Sequence, residues 1–350
     1  MSGPMTHSPQ ELSREELLSA AGVCDAVAAA DFSNCSATLI GWGRMGKQYA
    51  AALEALGVRR IRVVGRSDRT LEPLRSLSQV EVLAGGFEAF SASPRPDELG
   101  IVAVPMAGLL PAAKKLLSLG FRKILIEKPI ALNSGEIETL AKEFEESQAL
   151  GICAYNRVAY PSFLECRSRV AQEGGATSCA YTFTEIISPD WERAFPEEEL
   201  ARWGIANSLH PIGMAHALIG TPAQWSGFRK GALRWHPSGA VFAGSGISER
   251  GIPFSYHADW GSTGRWSVEI HTASSSYRLC PLETLARRVD AKGEWVEVPL
   301  KAFAPQVKPG FVEQTAALLN GEIGRQIPLV TLSQAAALAK FAEGVFGYEG

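Results

Sequence analysis

Between Ala37 and Ala154, six short apolar runs alternate with four longer segments of helical periodicity, and this alternation narrows the available folds more than any other feature. The runs are 37–40, 60–64, 80–83, 100–104, 122–126 and 151–154, and the helical segments are 46–56, 69–77, 107–119 and 134–148. Strands that are apolar along their whole length are buried on both faces, and strand–helix repetition with short loops builds parallel crossovers. The expectation is a doubly wound, Rossmann-type parallel sheet whose ligand lies at the carboxyl ends of the strands. Helix signals support it: Asn133-Ser134-Gly135-Glu136 places an N-cap with glutamate three residues on.

The first run, Ala37-Thr38-Leu39-Ile40, leads directly into Gly41-Trp42-Gly43-Arg44-Met45-Gly46. This is a G-x-G-x-x-G pattern between a buried strand and a helix. The first glycine permits a tight turn, the second lets backbone approach a pyrophosphate, and the third lets helix and strand pack closely. A dinucleotide is the ligand this turn suits.

After residue 151 the pattern changes to β-rich runs: Thr177–Ile187, Gln224–Arg234, Ala240–Ser248, Ser255–Asp259, Trp266–Ala273, Tyr277–Pro281 and Trp295–Pro299. Their near-regular spacing predicts a large, mostly antiparallel sheet in an α+β domain. Helices are predicted at Ala206–Ile219, at Phe311–Leu319 after Lys308-Pro309-Gly310, and after the capping box Thr331-Leu332-Ser333-Gln334. Ahead of the first strand, Ser13-Arg14-Glu15-Glu16 reads as a capping box, with Leu17, Leu18, Ala21, Val27 and Ala28 on one face of a helix. The organisation expected is an N-terminal helical extension (1–35), a dinucleotide-binding domain (36–150) and a substrate and oligomerisation domain (151–350). The join has no low-complexity linker, so a rigid cleft there is the expected active site.

Composition excludes several functions. The 350 residues are 46% apolar and 20% charged with a net charge of −3, the balance of a globular enzyme. No basic run suggests nucleic acid, and no apolar run approaches the roughly 20 residues of a membrane span. Cys24, Cys35, Cys153, Cys166, Cys179 and Cys280 lack metal-ligand spacing and read as reduced thiols. No signal-peptide pattern precedes Glu11. A cytoplasmic protein without metal, nucleic-acid or membrane partner is expected.

The fifth run, Ile124-Leu125-Ile126, ends in Glu127-Lys128-Pro129. A lysine in a cleft at a strand's carboxyl edge loses hydration, its pKa falls, and it can exchange protons near neutrality. By position alone, Lys128 equally fits a strand-end lysine paired with a carboxylate.

The glycine turn, then Val102-Ala103-Val104-Pro105, Glu127-Lys128-Pro129 and Ala154-Tyr155-Asn156-Arg157, in this order, resemble the glucose–fructose oxidoreductase, inositol dehydrogenase and rhizopine-catabolism family (Gfo/Idh/MocA). The resemblance spans roughly residues 36 to 345. It implies a nicotinamide cofactor on the first domain and a polyol, sugar or sugar derivative against the second domain's sheet, with hydride transfer between them. It makes Lys128 the first catalytic candidate and places the family's catalytic histidine on His210, in Asn207-Ser208-Leu209-His210-Pro211. The aspartate that the family has four residues earlier is here Ala206, and Asn207 is the nearest polar substitute. Another reading packs His210 in the domain seam. The resemblance gives Tyr155, Arg157, Asn207 and His210 substrate contacts, though Arg157 equally fits a salt-bridged structural residue. Cofactor contacts fall on Gly41, Gly43, Arg44, Met45, Gly46, Val104, Pro105, Glu127 and Lys128.

Cofactor choice is read after the second strand, where Val64-Gly65-Arg66-Ser67-Asp68-Arg69 stands in place of the carboxylate of an NAD site. Arg66, Ser67 and Arg69 suit a 2′-phosphate, so NADP is preferred over NAD, though Arg66 stacked on adenine would serve either. Trp191, Trp203 and Glu197-Glu198-Glu199 suggest a lid, or a solvated helix start. The expected activity is an NAD(P)-dependent oxidoreductase acting on a CH–OH group (or ketone) of a sugar, sugar nucleotide or cyclitol, in a homodimer or homotetramer. Alternatives are transient cofactor use for epimerisation or elimination, and a cofactor-binding sensor or scaffold.

Overall fold

The computed structural model describes residues 16–348, and Ser13, Arg14 and Glu15 of the expected N-terminal capping box lie outside them. Within them the first helix is Ala20–Ala29, and its cap is Ser19, whose side chain accepts from the Gly22 N–H. Leu17 and Leu18 therefore precede the helix rather than lining it. Its buried Val23 and Val27 face inward.

The first sheet contains β1 (Ser36–Ile40), β2 (Arg60–Gly65), β3 (Val80–Ala84), β4 (Leu99–Val102), β5 (Lys123–Ile126) and β6 (Leu150–Cys153). Their spatial order is β6-β5-β4-β1-β2-β3, all parallel. Strand order reverses between β1 and β4, which makes the crevice beyond their carboxyl ends the ligand position of such a sheet. Core strands are buried throughout, as the apolar runs require: every residue of β1 and β4 is inaccessible. The helix after the glycine turn opens at Arg44, two residues before the expected start, and runs to Ala55. The segment expected as one helix over 69–77 is a turn of α-helix, Asp68–Leu71, followed by a 3-10 stretch, Glu72–Ser76. Pro73 inside it removes an N–H that a continuous helix would use.

The second sheet holds β7 (Ser178–Phe183), β8 (Pro222–Lys230), β9 (Val241–Ser248), β10 (Pro253–Asp259), β11 (Trp266–His271), β12 (Ser276–Leu279), β13 (Ala286–Arg288) and β14 (Val296–Glu297). Its order is β14-β13-β12-β11-β7-β10-β9-β8, antiparallel except where β7 meets β10. Along β7 alternate residues Cys179, Tyr181 and Phe183 are buried against the Leu209–Ile219 helix, where Tyr181 Oη hydrogen-bonds His216 Nε2 at 3.0 Å. The opposite side of the outer strands is open, and Phe228 is 83% exposed.

The chain then returns to the first sheet. β15 (Val330–Thr331) pairs antiparallel with β6, and the following helix, Leu332–Phe346, begins with the expected capping box on Thr331 and Gln334. That helix packs on Ser134–Glu146 of the first sheet and, through Phe341 and Phe346, on aromatic residues of the second. Both sheets are therefore joined through this one packed helix. Among the described residues no helix is long and apolar enough to cross a membrane.

Candidate active site

Gly41 ends β1 with a φ of +106°, and a Cβ there would stand 2.4 Å from the Ala103 carbonyl after β4. At Gly46 a Cβ would meet the Gly41 carbonyl at 2.1 Å. Both positions therefore require glycine for backbone approach. Gly43 faces open space instead, with no heavy atom within 4 Å of a Cβ built on it. It is the N-cap of the Arg44–Ala55 helix and contributes no capping side chain, so the first N–H groups of a twelve-residue helix are left for a ligand. This cradle fits a dinucleotide pyrophosphate, and Val104 borders it, its Cγ1 lying 3.1 Å from a Cβ built on Gly41.

Past β2, Arg66, Ser67 and Arg69 are all exposed. The neighbouring Asp68 carboxylate pairs with Arg75.

β5 delivers Glu127 and Lys128 to the crevice. Glu127 is buried, accepts from Tyr49 Oη at 2.8 Å, and its pKa is raised by that burial. Gln314 Nε2 in turn donates to Tyr49 Oη at 3.3 Å, tying the carboxylate to the Phe311–Leu319 helix. The Lys128 amine donates to the Ala206 carbonyl at 2.8 Å and lies 3.5 Å from Asn207 Oδ1. Loss of hydration lowers its pKa to about 8, with Arg157 and Lys308 adding to the drop and Glu127 and Glu185 opposing it.

Local sequence explains why that carbonyl is free. The expected helix over 206–219 opens with a π-helical turn, Gly204–Ser208, before the regular helix Leu209–Ile219. In π spacing the Ala206 carbonyl would look to residue 211, which is a proline with no N–H. Lys128 supplies the missing donor.

Asn207 connects the amine to a carboxylate that the sequence reading did not single out. Its Nδ2 donates to Glu185 Oε2 at 3.0 Å, and Ser208 Oγ donates to Glu185 Oε1 at 2.6 Å. Burial raises the Glu185 pKa to about 7, against the pull of those hydrogen bonds and of Lys128. Ala206 thus leaves its position without an acid, but the site retains one, presented from the end of β7. The signal was available: Glu185 is a charge at the edge of an apolar strand, as Lys128 is.

His210 is buried, and its Nδ1 has no hydrogen-bond partner. Burial, then Arg157, Lys128 and Lys308, hold its pKa well below the ordinary value, so the imidazole is neutral at pH 7. The Tyr155 ring stands edge-on to it, 6.0 Å between centroids. Lys308, also not singled out beforehand, completes the cluster, with its ammonium 5.2 Å from the Phe311 ring centre. Arg157, Glu185, Asn207, Trp191 and Trp266 line a cavity of about 260 Å³ beside these groups. Trp203 lies beneath Trp191, centroids 4.4 Å apart, as a buried support. Glu197 and Glu198 face solvent.

Residues 36–155 match the family model described as "Oxidoreductase family, NAD-binding Rossmann fold". Through these residues the chain resembles the Gfo/Idh/MocA oxidoreductases. No curated protein matches this chain along its sequence. Solved structures share its fold. UDP-N-acetylglucosamine 3-dehydrogenase GnnA from Acidithiobacillus ferrooxidans matches with a TM-score of 0.67 at 14% identity, covering 89% of this chain and 96% of that one. An oxidoreductase from Agrobacterium radiobacter, solved with NAD+, L-tartaric acid and magnesium, matches at 0.69 and 12% identity, covering 89% and 95%. Levoglucosan dehydrogenase in complex with NADH and L-sorbose matches at 0.66 and 16% identity, covering 89% and 96%. At such identities the likeness establishes the two-layered architecture, and the chemistry has to be argued from this chain's own side chains.

Proposed function

We propose that this oxidoreductase transfers hydride between a nicotinamide dinucleotide and a hydroxyl-bearing carbon of a sugar-like substrate, with Lys128 as the proton-transfer group. The observation that carries this reading is the Lys128 amine, fixed by Ala206 and Asn207 at the carboxyl edge of a dinucleotide-binding sheet and poised near pH 8. The bound nicotinamide supplies the hydride acceptor or donor. Neutral Lys128 takes the hydroxyl proton as the carbinol is oxidised, and the Glu185 carboxylate, one amide away, stabilises the resulting ammonium. His210, neutral and with Nδ1 unpartnered, hydrogen-bonds the reacting oxygen and holds it in line. Tyr155 packs against that imidazole, while Trp191 and Trp266 wall off water from the cavity.

NADP is the preferred cofactor on this reading. Arg66 and Ser67 stand free at the end of β2 while Asp68 is held by Arg75, an arrangement suited to a 2′-phosphate. Gly41, Gly43, Arg44, Met45 and Gly46 take the pyrophosphate, Val104 and Pro105 flank it, Arg69 lies at the adenosine end, and Glu127 and Lys128 meet the nicotinamide ribose. The open outer face around Phe228 supports self-association of the second sheet. Purified protein titrated with NADPH and NADH by fluorescence, then assayed at 340 nm against polyols and sugars, tests the proposal. Turnover that disappears in Lys128→Met while NADPH still binds supports it. Failure to bind either nicotinamide dinucleotide sinks it.

A further inference from the structure

Arg157 lines the cavity with hydrogen-bonding capacity that the protein leaves unfilled. Its Nη1 donates to Asn156 Oδ1 at 3.2 Å, but its Nε is buried with no partner. The guanidinium carbon lies 5.0 Å from the Trp266 ring centre and 5.8 Å from that of Tyr160, so aromatic faces fix its plane. With Nη1 engaged, the Nε–Nη2 edge remains, two parallel N–H groups spaced to receive two oxygens of one oxyanion. A buried N–H without an acceptor is costly, and a ligand oxygen is the group that would relieve it.

The surrounding charges are mixed: the carboxylates of Glu283, Glu185 and Glu127 act on the Arg157 guanidinium, while further basic groups stand beside it. Arg265 lines the same cavity, and Lys128 and Lys308 both act electrostatically on His210 beside it. Two acids also border the cavity. Glu185 is occupied by Asn207 and Ser208, and Glu283 is an exposed rim residue that engages Tyr160. Neither forms an ion pair with Arg157. The cavity, about 260 Å³, lies just under the roughly 300–1,000 Å³ of drug-sized ligand sites, which suits a single ring rather than a nucleotide.

We propose that the substrate carries an anionic group, a carboxylate or a phosphate, seated on the Nε–Nη2 edge of Arg157 with Arg265 at the rim. The inference rests on the oxidoreductase reading above and names its substrate class: a monosaccharide-sized polyhydroxy acid or sugar phosphate. Its anion anchors one end on Arg157 while a hydroxyl reaches Lys128.

The test is calorimetric titration of the NADPH-loaded protein with D-glucuronate, D-glucose 6-phosphate and neutral D-glucose. One acid at least is expected to bind roughly ten- to hundredfold more tightly than glucose, the range of charge-assisted hydrogen bonds. Which acid does so separates carboxylate from phosphate recognition. Arg157→Gln is expected to abolish the preference, and Arg265→Gln, at an exposed position where folding is not at stake, to weaken it severalfold. Glucose binding as tightly as both acids, neither acid binding at millimolar concentration, or a preference untouched by both substitutions would overturn the inference. NADPH binding, followed separately by fluorescence, distinguishes failures: its retention without acid preference removes only the substrate class, whereas its absence removes the oxidoreductase reading as well.

Discussion

The ammonium of Lys128 and the carbonyl of Ala206 lie 2.8 Å apart, joining the edge of the first sheet to the π-helical turn in front of the second. The position that gives no side-chain function thus contributes through its backbone. Replacing Lys128 with methionine keeps an unbranched side chain one atom shorter and removes the proton carrier. The expected result is a fall in kcat of roughly 100- to 10,000-fold with NADPH affinity within a few-fold of the parent, measured by steady-state kinetics and fluorescence titration. Lys128→Arg should not rescue, because a guanidinium stays protonated.

Lys128 and Glu185 set the pH dependence together. For alcohol oxidation the neutral amine is required, so kcat/KM should rise with pH through about 8, and ketone reduction should fall over the same interval. Glu185 is a negative neighbour that raises the amine's pKa. Glu185→Gln should therefore move the rising limb to lower pH while reducing its plateau. A limb that stays in place in the variant would separate Glu185 from the proton-transfer step.

At the adenosine end, Arg66→Ala should weaken NADPH by roughly ten- to hundredfold and leave NADH almost unaltered. Parallel titrations of the two cofactors give the ratio directly. An equal loss for both would mean that Arg66 stacks on the base rather than pairing with phosphate.

Glu313 provides a test of stability away from the chemistry. Burial in the Phe311–Leu319 helix raises its pKa from 4.5 to about 7. Because the folded-state value is the higher one, the folded chain holds the proton more tightly than the unfolded chain. Its contribution is present in full below pH 4.5 and is lost as pH rises through 7, a change of about 3 kcal/mol. Urea midpoints at pH 5 and pH 8 should differ less in Glu313→Gln than in the parent protein.

Much of this was legible in the chain itself, for identifiable reasons. The glycine turn and Glu127-Lys128 stood out because a doubly wound sheet puts its ligands where strands end, and both follow apolar runs. Glu185 has the same kind of placement, but the Thr177–Ile187 run counted only toward the near-regular spacing of β-rich runs, and its terminus was not weighed. Lys308 joins Lys128 only through tertiary folding across 179 intervening positions, which periodicity cannot convey. The helix Pro161–Gln172 was missed because Ser162, Phe163, Leu164, Glu165 and Cys166 are all buried, leaving no apolar stripe to detect. β13 and β15, at three and two residues, are too short for any alternation to register.

That two-residue strand has a consequence for how the molecule could be taken apart. Val330 and Thr331 close the edge of a sheet begun nearly three hundred residues earlier. A fragment stopped after β6 would carry a bare row of amide and carbonyl groups along Ile152 and Cys153, open to pairing with any passing chain. One cut can never yield two self-sufficient pieces. Grafting the nucleotide-binding portion onto another scaffold would require the tail to travel with it.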